Sequence, residues 1–249
     1  MRALRTLLIL VVVFGGLFVA ADRVAVYFAE DQVAGKIRSS QGLASDPKVS
    51  INGFPFLTQV VNTSLDDVEI SLDGVTASAD GQAVRVTEVR AELKDVKFDS
   101  SFSTATAATA TGSARISYAD LTGSAPDGAT VGYAGAERAA KGQVKLSGPM
   151  GEVLDGAGIT IPAPFKSLLD GKDLTAYSTV SLVDGDTLRL KAATLPELYV
   201  PGAERRMRDV VDYDLKIDGL PSSIRLDKVT ATETGLSFSG TGNDVSLSG

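Results

Sequence analysis

The chain has no histidine, no cysteine and no tryptophan among its 249 residues. Without imidazole or thiol groups it has no histidine base, no cysteine nucleophile, no His/Cys zinc site and no disulfide. The lack of cysteine also excludes a lipid anchor attached through that residue. Carboxylate and hydroxyl chemistry remains. A two-acid glycosidase needs carboxyl groups about 5 to 9.5 Å apart across a cleft, and a serine hydrolase needs an adjacent base. A set of 31 acidic residues in a domain of this size reads more simply as solvated surface. The expectation is a protein without catalytic activity, metal or cofactor.

Long hydrophobic runs are equally scarce, for there is only one. After Arg2 and Arg5, residues 6–21 carry no charge and end in Val19-Ala20-Ala21, small residues suited to a cleavage point. Residues 1–21 therefore read as a signal peptide or an uncleaved membrane anchor, placing the rest in the cell envelope, at the outer face of the cytoplasmic membrane. The uncharged run of 16 residues falls short of the ~20 that a spanning helix needs, unless Leu4 extends it with the arginines held inside. Residues 22–249 read as one domain, because no Pro-, Gly- or charge-rich linker divides them. Beyond the leader there are 22 basic and 31 acidic residues, a net charge of −9. That balance argues against nucleic acid as a partner, and it leaves contact with a membrane surface to local apolar or basic patches.

Between residues 22 and 40, Val26, Ala29, Val33 and Ile37 recur at helical spacing, a narrow stripe for packing on a sheet. From 47 to 249 a period of two dominates. Val68, Ile70 and Leu72 alternate with Glu69, Ser71 and Asp73, and Leu188 and Leu190 alternate with Arg189 and Lys191. Asp80-Gly81 and Asp184-Gly185 mark hairpins, the second with a two-residue loop. The change of phase between Val86 and Val89 marks a bulge. Val84 to Phe98 and Arg208 to Ile217 read as unusually long strands. Residues 100–112, rich in Ala and Thr, read either as a strand with small inward side chains or as a surface ribbon, and residues 164–170 as a short helix. The fold class is α+β, mainly antiparallel β, with a long curled sheet wrapped around the N-terminal helix.

The run Gly53-Phe54-Pro55-Phe56-Leu57-Thr58-Gln59 follows a short Val49/Ile51 strand pattern. Proline restricts both itself and Phe54, so the aromatics are held rigidly. Phe54, Phe56 and Leu57 either form a mouth that dips into the membrane edge or plug the start of the sheet against the helix. Arg205, Arg206 and Arg208 are the one tight basic cluster outside the leader. Their guanidinium groups suit phosphate oxygens, and equally a solvated strand end beside Glu204 and Asp209.

The GFPFLTQ run after a V-x-I strand, the leader and helix before it, and the later Leu195-Pro196-Glu197-Leu198 and Gly219-Leu220-Pro221 segments resemble the LmeA-like phospholipid-binding family of actinobacterial cell envelopes. The resemblance spans most of residues 22–249. It implies a tubular lipid-binding fold, binding of phosphatidylinositol and other phospholipids, and support of envelope lipoglycan assembly, with an envelope glycosyltransferase as a candidate partner. Transfer energies give the physical condition. A diacyl lipid exposes on the order of 30 methylenes at ~0.8 kcal/mol each, so taking it into water costs roughly 24 kcal/mol, and a groove shielding half the chains leaves about 12 kcal/mol unmet. Free carriage needs an enclosed apolar lumen. Its candidate lining is Val68, Ile70, Leu72, Val211, Tyr213, Leu215 and Ile217, residues that would also fill an ordinary core. Two other readings stay open: an anchored β scaffold with a filled centre that docks an envelope enzyme, and a carboxylate enzyme acting on envelope glycans.

Overall fold

A computed structural model describes every residue except 1, 80, 100–103, 124, 126–127, 157, 160–170, 197–202, 219, 221 and 249. The expected helix at 164–170 and parts of the 195–198 and 219–221 segments lie outside the described residues. The fold is α+β with mainly antiparallel sheet. In chain order its elements are α1 (Arg2–Gln41), β1 (Lys48–Asn52), α2 (Phe56–Val61), β2 (Ser64–Ala79), β3 (Gln82–Phe98), β4 (Thr104–Ser117), α3 (Tyr118–Thr122), β5 (Thr130–Tyr133) and α4 (Ala136–Ala139). They continue with β6 (Gln143–Pro149), α5 (Met150–Gly156), β7 (Asp173–Val183), β8 (Thr187–Thr194), α6 (Ala203–Val211), β9 (Tyr213–Lys216), β10 (Ile224–Ala231) and β11 (Gly235–Ser248). One sheet has the order β1-β2-β3-β4-β11-β10 and the other β5-β6-β7-β8-β9.

The chain divides into two compact units. The first comprises residues 1–72, 90–111 and 242–249, the second 73–89 and 112–241. The division crosses β2, β3, β4 and β11 instead of a linker, which is why composition along the chain gives no sign of it.

In the first unit, leader and following helix are one uninterrupted α1, which packs on β1 and α2. Its buried row is Asp22, Val26 and Ala34, with Glu30 half-buried, four residues joined by three i, i+4 steps on one face; Val33, expected in the packed stripe, is exposed. Two carboxylates fix this rotation. Glu30 Oε1 accepts the Ile51 N–H at 2.8 Å, clamping β1, and Asp22 Oδ1 accepts the Leu57 N–H at 2.8 Å. Residues 104–112 of the Ala/Thr stretch form part of β4, with Ala105, Ala107 and Ala110 buried.

In the second unit, β7 alternates cleanly, burying Leu174, Ala176, Ser178 and Val180 and turning the intervening residues outward. Its hairpin to β8 pairs Val183 with Thr187, so the loop has three residues, one more than Asp184-Gly185 suggests. Asp186 is the extra residue: its carboxylate accepts from the Thr187 hydroxyl at 2.7 Å and its carbonyl from the Ile217 N–H at 2.9 Å.

The expected Arg208–Ile217 strand is a helix followed by a short strand. In α6, Glu204 and Arg208 pair at i, i+4 with 3.1 Å between charged atoms, and Met207 is buried one helical turn from Val211. Asp212 ends the helix, its N–H reaching Arg208 O at 2.7 Å while its carboxylate takes the Ala192 N–H at 2.6 Å. Period-two pairing begins only at Tyr213, opposite Leu190. On the exposed side of that pairing, Arg189 grips Asp214 through two hydrogen bonds of 2.7 and 2.6 Å, and these hold the Asp214 carboxyl below its usual range.

Candidate functional site

The second unit contains an apolar cavity of about 370 Å³. Leu174, Ala176 and Val180 of β7 form one wall; at ~3.3 Å per residue they cover about 20 Å of strand. Leu188 and Leu190 of β8 and Leu215 and Ile217 from β9 and its exit continue that wall, Leu188 lying opposite Leu215 in the pairing. Val84, Val86 and Val89 of β3 all line the cavity. Val84 and Val86 are buried at a spacing of two, and Val89, half-buried, lies out of phase with them. Met207 and Val211 close part of the lining from α6.

The polar side chains at the edge of the lining have hydrogen-bond partners within the protein. Asp218 accepts hydrogen bonds from the Ser78 hydroxyl at 2.9 Å and the Gly81 N–H at 3.1 Å. At Ser147 the carbonyl accepts from the Thr130 hydroxyl at 2.7 Å. Asp218 and Ser78 are exposed, so they mark where the lining meets water. Register separates this rim from α6. Asp218 follows β9, whose Lys216 pairs with Thr187 beside the β7–β8 turn, whereas Met207 packs with Leu174 at the opposite end of β7.

The hollow opens to water at its rim and is otherwise walled by hydrocarbon. Native cores keep few voids larger than a water molecule, so an apolar group entering this space would gain packing contacts. An apolar cavity of about 150 Å³ already takes one benzene.

The expected site residues distribute unevenly. Val211, Leu215 and Ile217 line the cavity. Tyr213 opens β9; its side chain lies outside the described residues. Val68, buried, and Ile70 and Leu72, half-buried, belong to the first unit and are not among the lining. On α6 the arginines flank the buried Met207. Arg206 donates to Gly158 O at 3.1 Å, Arg208 to Glu204 Oε1 and, at 3.5 Å, to Ala192 O, and Arg205 is exposed. Residues missed by the sequence reading are Met207, one residue before the expected strand and on the helix that reading did not foresee, and the valines of β3, whose alternation was legible but whose facing partners were not.

In the first unit the GFPF loop splits its aromatics. Phe56 is buried and Leu57 half-buried, while Phe54 is 58% exposed. Gly53 has φ +101°, and a Cβ there would lie 2.5 Å from Gln59 Nε2, so only glycine fits. Helix α2 begins at Pro55 without a side-chain cap of its own. Asp22 of α1, 0% exposed, supplies the cap through Leu57 N–H and also binds Arg23 Nη2 at 2.6 Å. The Arg23 guanidinium lies 5.4 Å from the Phe54 ring centre and reaches Gly53 O at 3.4 Å. Among the described residues, no cluster of three potential metal ligands occurs.

The cavity is walled by hydrocarbon, and the polar side chains at its edge are bonded within the protein. The chain belongs to the LmeA-like phospholipid-binding family, whose profile matches residues 20–241, nearly the whole length. No individual curated protein and no solved structure gives a match. Helix α1 is long and apolar enough to cross a membrane, compatible with a signal peptide or an anchor.

Proposed function

We propose that this protein binds phospholipid without catalysis, with an acyl chain in the second-unit cavity, at the outer face of the cytoplasmic membrane to which α1 anchors it. The observation that carries the reading is the 370 Å³ apolar hollow in a chain of a phospholipid-binding family. Scaled from the benzene case, the cavity accommodates on the order of fifteen carbons, one acyl chain and not two. With half of a diacyl lipid outside, about 12 kcal/mol of transfer energy is unmet in water. The second chain therefore stays in the bilayer, and the protein lifts and presents a lipid that remains rooted there. The phosphate goes to the α6 end, where Arg205, Arg206 and Arg208 attract an anion that the Asp218 rim repels. A phosphatidylinositol-like headgroup and a role in envelope lipoglycan assembly, beside an envelope glycosyltransferase, follow from the family resemblance.

Native mass spectrometry of the full chain, released from mild detergent after purification from cells, tests the reading. A bound phospholipid that is displaced by added lysophospholipid of the same headgroup is the expected result. Protein that emerges lipid-free and takes up neither species would overturn it.

A further inference from the structure

The uncharged run at residues 6–21 spans only about 24 Å at ~1.5 Å per residue, less than the ~30 Å hydrocarbon core. On sequence, Asp22 and Arg23 end it. The structure removes that stop. Asp22 is completely buried, its carboxylate spent on the first turn of α2 and on Arg23, and the Arg23 guanidinium lies against the Phe54 ring. The two charges form a neutral pair whose acidic member never meets solvent.

Exposed apolar side chains continue beyond the pair: Val24, Tyr27 and Phe28 on α1, then Phe54, against the Arg23 guanidinium, and the 82% exposed Val61 on α2, which packs on α1. From Leu4 to Phe28 the helix measures about 37 Å, enough for the hydrocarbon core and part of one headgroup layer. With Arg2 and Arg5 on the cytoplasmic side, the additional length lies in the outer leaflet. Aromatics and a half-exposed arginine whose charge is paired match the residues that interfaces favour.

Resting on the reading of α1 as a retained anchor, we propose that Val24, Tyr27, Phe28, Phe54 and Val61 form a collar seated in the outer leaflet. Burial of Asp22 against α2 extends the lipid-facing surface past its charge, and the GFPF loop is the part of the first unit that enters the membrane. The collar explains why Phe54 is held outward while Phe56 is held inward, and why a pair of charges interrupts the otherwise uncharged residues 6–29 of α1 without ending their exposed apolar face.

The absence of tryptophan makes single-tryptophan reporters clean. The full chain carrying Phe54→Trp, Phe28→Trp, Leu10→Trp within the span, or Thr175→Trp on the outward face of β7 is reconstituted in phosphatidylcholine/phosphatidylglycerol vesicles, with or without bromine on the acyl chains. The Phe54→Trp and Phe28→Trp reporters should emit to the blue of Thr175→Trp and be quenched by the brominated lipid, as aromatics seated at the interface are expected to be. Phe28→Trp serves alone if Phe54→Trp does not fold. Water-like, unquenched emission from the collar reporters overturns the proposal. If Leu10→Trp is quenched in that case, the anchor stands and only the collar fails; if it is unquenched, the anchor fails too. Cavity binding, read separately by native mass spectrometry, is independent of either outcome. Intact mass of the membrane fraction should match the full chain, and a mass lacking residues 1–21 also overturns the collar.

Discussion

Replacing Ala176 by phenylalanine puts a ring into the space assigned to the acyl chain. Ala176 is buried on β7, paired with Leu146 of β6, and both line the cavity. The ring displaces the equivalent of about six methylenes, worth roughly 5 kcal/mol at ~0.8 kcal/mol each, or more than three decades in Kd at ~1.4 kcal/mol per decade. Even if movement of the ligand recovers half, Kd rises roughly fiftyfold. Stability should move the other way. An apolar group entering an apolar hollow regains packing, so Tm of the lipid-free protein should hold or rise. Ala176→Leu gives a graded point, with three carbons costing about 2.4 kcal/mol of binding, again roughly fiftyfold before relaxation. Thr175→Phe, one residue away on the exposed face, is the control and should bind like wild type. The assay is titration with a fluorescent diacyl phospholipid, paired with thermal unfolding of delipidated samples. A folded Ala176→Phe protein with wild-type affinity would remove the cavity as the acyl site.

Further outcomes follow from the same contacts. Gly53→Ala should lower stability by about 1–3 kcal/mol in denaturant titration, because its left-handed φ and the adjacent Gln59 amide leave no room for Cβ. Asp22→Ala removes the cap of α2 and strands Arg23, so it should lower Tm more than Asp22→Asn, which keeps an acceptor for Leu57 N–H; equal Tm values would argue against the network. The Gly81 N–H, and next the Ser78 hydroxyl, hold the Asp218 carboxyl below its ordinary value of 3.8. A depressed folded value means the stabilisation is present above the unfolded value and is lost as pH falls through the folded one, so Tm should drop more steeply below about pH 4 in wild type than in Asp218→Asn. Joint replacement of Arg205, Arg206 and Arg208 by glutamine should weaken anionic phospholipid binding and its salt dependence while sparing zwitterionic lipid, as measured by competition at two ionic strengths.

Some of this architecture was legible in the sequence, and physical causes separate that part from the rest. Strands such as β3 and β8 announce themselves because one side faces apolar groups and the other faces water, a local contrast that period two records. What that apolar side faces is a long-range fact. Val68, Ile70 and Leu72 alternate as well as Val84 and Val86 do, yet only the β3 valines reach the cavity. In α6, five charged residues around Met207 left too thin an apolar stripe to compete with the alternation that starts at Val211. The Phe54/Phe56 split turns on the direction of a single loop, set by an aspartate more than thirty positions upstream. The hollow did leave a trace. A sheet face closes its core with bulky side chains, but Ala77, Ala114, Ala129, Ala176 and Gly148 stand at lining positions here. Where alanine and glycine recur at inward positions beside valine and leucine, the missing volume adds up across segments far apart in sequence, and no single stretch of the chain records the hollow they leave together.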